Sequence, residues 1–179
     1  WNASPIRLPW SSAARFMMAS LAVCFATVLA FAQEPTNPLK PPDRSSPRAA
    51  LQTFLDSGDA LGKFLAKDYL PSPSRAEFQQ LISLGDAAVQ CLDLSAAPPA
   101  ARLKTGRSAA TALYVTLSRI PLPPLDEVPG AGEFGPPSGT NATRWVIPNT
   151  EIALERVPSG PRRGEFLFSA DTVAKAESF

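Results

Sequence analysis

Three stretches of the chain repeat apolar residues at helical spacing, and a fourth alternates them. Leu51, Phe54, Leu55, Leu61 and Leu65 follow helical spacing, which predicts a helix from Ser46 to about Ala66. Ser46 stands where an N-cap oxygen accepts an orphan N–H, and Pro47 takes the first helical position, where a missing N–H costs nothing. Gly58 and Gly62 weaken this helix by roughly 1 kcal/mol each relative to Ala, or else allow a close crossing with a neighbouring helix. Ser74 caps a second helix with the stripe Phe78, Leu81, Ile82, Val89 and Leu92, and Glu77 completes a capping box. A third helix is predicted over 100–119, with Leu103, Ala110, Leu113 and Leu117 on one face. Its basic trio Arg102, Lys104 and Arg107 lies on or near the other and reads as a solvated face.

The alternating stretch comes last. Thr150, Ile152, Leu154 and Arg156 alternate with Glu151, Ala153, Glu155 and Val157, and Phe166 and Phe168 alternate with Glu165 and Leu167. Each run reads as a strand, and the Pro-, Gly- and Ser-containing residues 158–163 supply turn chemistry between them. Ser169 then caps a helix beginning at Ala170, with Asp171 in the first turn, where the helix dipole favours an anion. A two-stranded hairpin is marginal alone, so Ile152, Leu154, Phe166 and Phe168 are expected to pack against the helices. The predicted fold is mainly α: a three-helix soluble domain with one C-terminal β-hairpin (about 144–169) and the start of a further helix, preceded by an apolar leader helix.

Residues 16–32 form that leader. They are almost continuously apolar, follow Arg7 and Arg15, and end in Ala30-Phe31-Ala32, the pattern of a secretory signal peptide cleaved before Gln33. An uncleaved anchor is the alternative, although the run is short for a hydrocarbon core of about 30 Å. Lipidation at Cys24 is a further one. The chain opens on Trp1, so either it is a fragment or its start is Met17 or Met18; an upstream start keeps both arginines. Three regions result: 1–32 as signal peptide or anchor, 33–45 as an extended Pro-rich linker, and 46–179 as the folded domain. Residues 121–143 hold six Pro and four Gly and predict a loose loop over 130–143, where Asn141, Ala142 and Thr143 match an N-glycosylation acceptor in a eukaryotic secretory pathway.

Composition narrows the chemistry. The 179 residues carry no His, which removes the commonest general base and metal ligand. No Ser-His-Asp or Cys-His set can form, and no CxxC, P-loop or GxGxxG pattern is present. Removing residues 1–32 takes 17 basic against 16 acidic residues to 15 against 16, so nothing suggests a basic nucleic-acid surface. Without the leader Cys91 stands alone, and its apolar neighbours Val89 and Leu92 mark it as a buried structural thiol. The acid pairs Asp56/Asp59 and Asp126/Glu127 are ordinary surface neighbours rather than catalytic dyads. Glu151, Glu155 and Glu165 read as a solvent face of the hairpin, or as a contact with a partner subunit. No catalytic, cofactor-binding or metal-binding residue is expected, and no enzyme.

Five segments carry a resemblance. They are SPRAALQTFL at 46–55, CLDLS at 91–95, RIPLPPLDEVP at 119–129, RWVIPNTEI at 144–152 and GEFLFSADTV at 164–173. In this order the chain resembles the N-terminal extracytoplasmic region of bacterial channels of the small-conductance mechanosensitive family. The resemblance implies a secretory leader, a soluble domain, then pore-lining membrane helices, and ion efflux gated by membrane tension during osmotic shock. It implies a place on the periplasmic, extracytoplasmic side of the bacterial cell membrane. Its expected partners are the remainder of a membrane channel or neighbouring subunits, with homo-oligomerisation left open. No second run of about 20 apolar residues occurs, so this sequence is expected not to conduct ions by itself. It is expected to be the N-terminal piece of a longer protein, or a truncated or stand-alone copy of that domain. The alternative is a free periplasmic or secreted binding module with a pocket between hairpin and helices.

Overall fold

The computed structural model describes residues 42–133 and 143–179. The leader, the linker as far as residue 41, and Asn141 and Ala142 of the acceptor pattern lie outside the described residues. Helix α1 spans Pro47–Phe64 and is extended by one π turn, Leu65–Tyr69. Helix α2 spans Arg75–Val89 and α3 spans Arg102–Leu117. Three short strands follow, β1 (Arg144–Val146), β2 (Ala153–Arg156) and β3 (Phe166–Phe168), then α4 (Ala170–Lys175) and a 3-10 turn, Ala176–Ser178. The fold is mainly helical with one small antiparallel sheet. Among the described residues no helix is long and apolar enough to cross a membrane.

The helix starts follow their capping residues. The Ser46 side chain accepts the Ala49 N–H at 3.1 Å with Pro47 just inside. Ser74 accepts the Glu77 N–H at 3.2 Å, the forward half of the capping box. Ser169 accepts the Thr172 N–H at 3.2 Å. Each bond satisfies one N–H that has no partner within its helix.

The sheet has one more strand than the expected single hairpin. β2 pairs with β3, with Leu154 opposite Phe168, and also with β1, where Trp145 lies opposite Leu154. β1 is three residues long, too short for alternation to announce it. The link to β2 is tightened by Asn149, whose φ of 61° lies in the left-handed region that Asn tolerates, and by the Ile147 N–H bonding to the Ile152 carbonyl at 2.9 Å.

The predicted inner face is buried: Ile152, Leu154, Phe166 and Phe168 are all at most 1% exposed. Phe168 meets Phe54 of α1 edge to face, with ring centroids 4.8 Å apart. The opposite face does not behave as alternation predicts. Ala153 and Leu167 are buried as well. At Ala153 the reason is α4, which folds back on β2. The Ala153 N–H donates to the Thr172 hydroxyl at 2.9 Å, and the Ser169 N–H donates to the Ala153 carbonyl, also at 2.9 Å.

The far edge of β3 is closed by two distant segments. The Phe168 N–H bonds to the Cys91 carbonyl and the Asp93 N–H to the Phe168 carbonyl, each at 2.9 Å. The Phe166 N–H bonds to the Arg44 carbonyl at 2.8 Å, so the last residues of the Pro-rich stretch are tied to the domain. An edge strand covered in this way has no free ladder groups to template aggregation. The Pro-rich residues 121–129 are pinned too. The Arg48 guanidinium donates to the carbonyls of Val128 at 2.7 Å and Asp126 at 2.9 Å, and Val128 is fully buried.

Not every apolar stripe residue reaches the core. Phe78 is 44% exposed, Leu103 55% and Leu65 36%. Leu92 is buried, but it lies beyond the end of α2, in the segment that pairs with β3.

Candidate functional site

Among the concavities of the described residues, two stand out by their lining. One is an apolar cavity of about 340 Å³ between α1, α2 and α3. It arises where bulky residues are missing from facing helices. Gly58 and Gly62 of α1 face Gly85 and Ala88 of α2, with Leu81 and Ile82 along one wall. A side chain at Gly62 or Gly85 would meet nothing within 4 Å. Gly58 is different, because a Cβ there would lie 2.2 Å from the Tyr114 ring of α3. The close helix crossing is therefore made at Gly58 and not at Gly62.

The other is a groove of about 760 Å³ with a mixed apolar and charged lining, between the β2–β3 connection and the segment joining α2 to α3. Arg102, Arg156 and Arg162 reach it, together with Asp93 and Glu155. The Arg156 guanidinium lies 4.9 Å from the centre of the Phe166 ring, a cation–π contact. Arg162 donates to the Gln90 carbonyl and bridges to Glu165 at 2.8 Å. The groove is thus built from arginines already held by the fold.

Glu165 is the electrostatic centre of this end. Arg44 reaches it at 2.9 Å from one side and Arg162 from the other. Burial pushes the Glu165 carboxyl up, but the hydrogen bonds and charges of the two arginines outweigh it and hold the carboxyl below its ordinary 4.5. Cys91 lies nearby and is fully buried, and burial pushes its thiol up to about 11 against the pull of both arginines. Such a thiol carries little thiolate at neutral pH and is a packing group rather than a nucleophile.

The structure separates the charged residues singled out in the sequence. Glu151 pairs with Lys175 at 3.2 Å, Glu155 with Arg144 at 3.2 Å, and Glu165 with its two arginines. The three carboxylates serve three different contacts. Asp56 and Asp59 sit one turn apart on α1. Burial first, then the Asp59 charge, push Asp56 up against a lowering from Lys63, while Asp59 accepts the Tyr114 hydroxyl. Asp126 and Glu127 are exposed. Of the basic trio, Arg107 turns to Asp86 at 3.0 Å, while Arg102 and Lys104 stay exposed. Among the described residues no three of Cys, Asp and Glu come together as a metal site would require. The apolar cavity had no signal beyond the glycines, which read equally well as helix-weakening residues.

No family model, curated protein or solved structure matches the chain significantly.

Proposed function

We propose that residues 46–179 are an extracytoplasmic domain of a small-conductance mechanosensitive-channel-like protein, non-conducting in itself, which acts by packing and contact rather than catalysis. The observation that carries this reading is how the five family-like segments meet. The 46–55 segment supplies Phe54, which packs on Phe168 of the 164–173 segment. The same Phe168 pairs through its backbone with the 91–95 segment. Arg48 holds the 119–129 segment, and the 144–152 segment contributes β1 and the turn into β2. Four of the segments thus meet directly and the fifth joins them through β2, an arrangement compatible with the resemblance. The domain would decorate the outer side of the channel and influence its assembly or gating.

The test is made in the native cell. With an epitope placed within 46–179, the tagged protein is expected in a membrane complex of channel size on native electrophoresis. Deleting 46–179 from the gene is expected to lower survival of osmotic downshock in a strain lacking other tension-gated channels. A tagged species found wholly in the soluble fraction, with survival unchanged by the deletion, would contradict the reading.

The groove of about 760 Å³ between hairpin and helices favours a second reading, a stand-alone periplasmic or secreted binding module. A thermal-shift screen with periplasmic metabolites and peptidoglycan fragments tests it, and the absence of stabilisation by any of them would count against it.

A further inference from the structure

The polar groups around the 340 Å³ cavity are few, and each is already bonded. Arg107 donates to Asp86 from Nη2 at 3.0 Å and from Nε at 3.3 Å. The Thr111 hydroxyl donates to the Arg107 carbonyl at 2.9 Å. The Tyr114 hydroxyl donates to Asp59. Every other residue on the wall is apolar or glycine. A ligand with its own charge or many hydrogen-bonding groups would find few partners on a wall that is otherwise apolar and would lose its hydration with little return. The charges at the mouth pair off, so what complements them is an uncharged occupant.

The recess is of small-molecule size. A stable protein interface buries at least about 1,200 Å², far beyond a recess of this size. The volume falls within the roughly 300–1,000 Å³ of small-molecule sites. A lipid surface is held by clustered Lys and Arg, whereas the single arginine on this wall is neutralised by Asp86.

We infer that the cavity between α1, α2 and α3 is a binding site for a soluble, uncharged, apolar small molecule, which lies over Gly62 and Gly85. The two glycines are what keep it open. Both lie in helix interiors, where Gly is unfavourable by about 1 kcal/mol relative to Ala, and neither has a neighbour that a Cβ would strike. Gly58 has such a neighbour and so a packing reason for its identity. The inference does not depend on the channel reading.

The experiment uses the neutral fluorophore N-phenyl-1-naphthylamine with the full chain. Saturable fluorescence enhancement, displaced by 1-decanol, is expected. Gly85→Leu fills the recess and is expected to weaken binding at least tenfold while leaving the melting temperature unchanged or raised. Gly62→Leu gives the same reading from the opposite helix should Gly85→Leu fail to fold. On the wild type alone, decanol is expected to shift the methyl resonances of Leu81 and Ile82. The inference is overturned by any of three results: no saturable binding to the wild type, folded Leu variants that bind as well as the wild type, or displacement by phosphatidylcholine vesicles but not by decanol.

Discussion

At the start of α1, Ala50, Leu51 and Phe54 are fully buried; at its end Leu65 is 36% exposed and Gly62 faces open space. The apolar stripe continues into the second half through Leu61 and Leu65, with Gly58 and Gly62 at the positions between. The partner also differs. The first half meets the sheet, whose inner face is buried and whose far edge is tied to the 91–93 segment and Arg44. The second half meets α2, of which Ala88 is the one fully buried residue. An apolar stripe specifies a face to be covered, and the cover depends on what the rest of the chain brings to it.

The largest contrast should come from placing the same charge at the two ends. Phe168→Asp puts a carboxylate into a fully buried position against Phe54, and cooperative thermal unfolding is expected to be lost. Phe78→Asp, at a position 44% exposed with a Tyr69 ring contact, should cost about 1–2 kcal/mol and leave cooperative unfolding intact. Equal melting of the two variants would break the comparison. A smaller version is Phe54→Ala, expected to cost about 3–5 kcal/mol in urea unfolding. The glycines give opposite signs on one helix. Gly58→Ala must displace the Tyr114 ring and should cost about 1–3 kcal/mol. Gly62→Ala has room and should stabilise by about 0.5–1 kcal/mol.

The smallest expected effect is electrostatic and belongs to the sheet end. The Glu165 carboxyl is held below its ordinary 4.5 in the folded state by Arg44 and Arg162. Its contribution is therefore present above the unfolded value and is lost as pH falls below 4.5 and through the lower folded value. Urea unfolding across that range should show stability falling with acid, and Glu165→Gln should flatten part of the slope. An unchanged slope would mean that the two arginines do not hold Glu165 in solution as they do in the structure.

Local chemistry was legible in the sequence. Ser46, Ser74 and Ser169 could be assigned as caps because capping needs only a side-chain oxygen and the next turn. Ile152, Leu154, Phe166 and Phe168 could be assigned to one buried face because strand period is local. The features not read depend on distant segments. Ala153 is buried because Thr172, nineteen positions on, returns to bond its N–H. Leu92 is buried because its segment pairs with Phe168, which periodicity within α2 cannot register. Phe78 and Leu103 kept the right spacing but are only partly covered, Phe78 by the Tyr69 ring. The groove escaped for a similar reason, since Arg102 and Arg162 are far apart in sequence and line one groove only in the fold.

Native-state hydrogen exchange tests the two-ended account most directly. The Phe168 and Asp93 amides, which bond across the joint between β3 and the 91–93 segment, should exchange only through global unfolding. The hydrogen-bonded amides of α2 from Phe78 to Ile82 should exchange through a local opening of distinctly lower free energy. The same opening free energy for both sets would contradict the account, because α2 would then be as firmly held as the sheet.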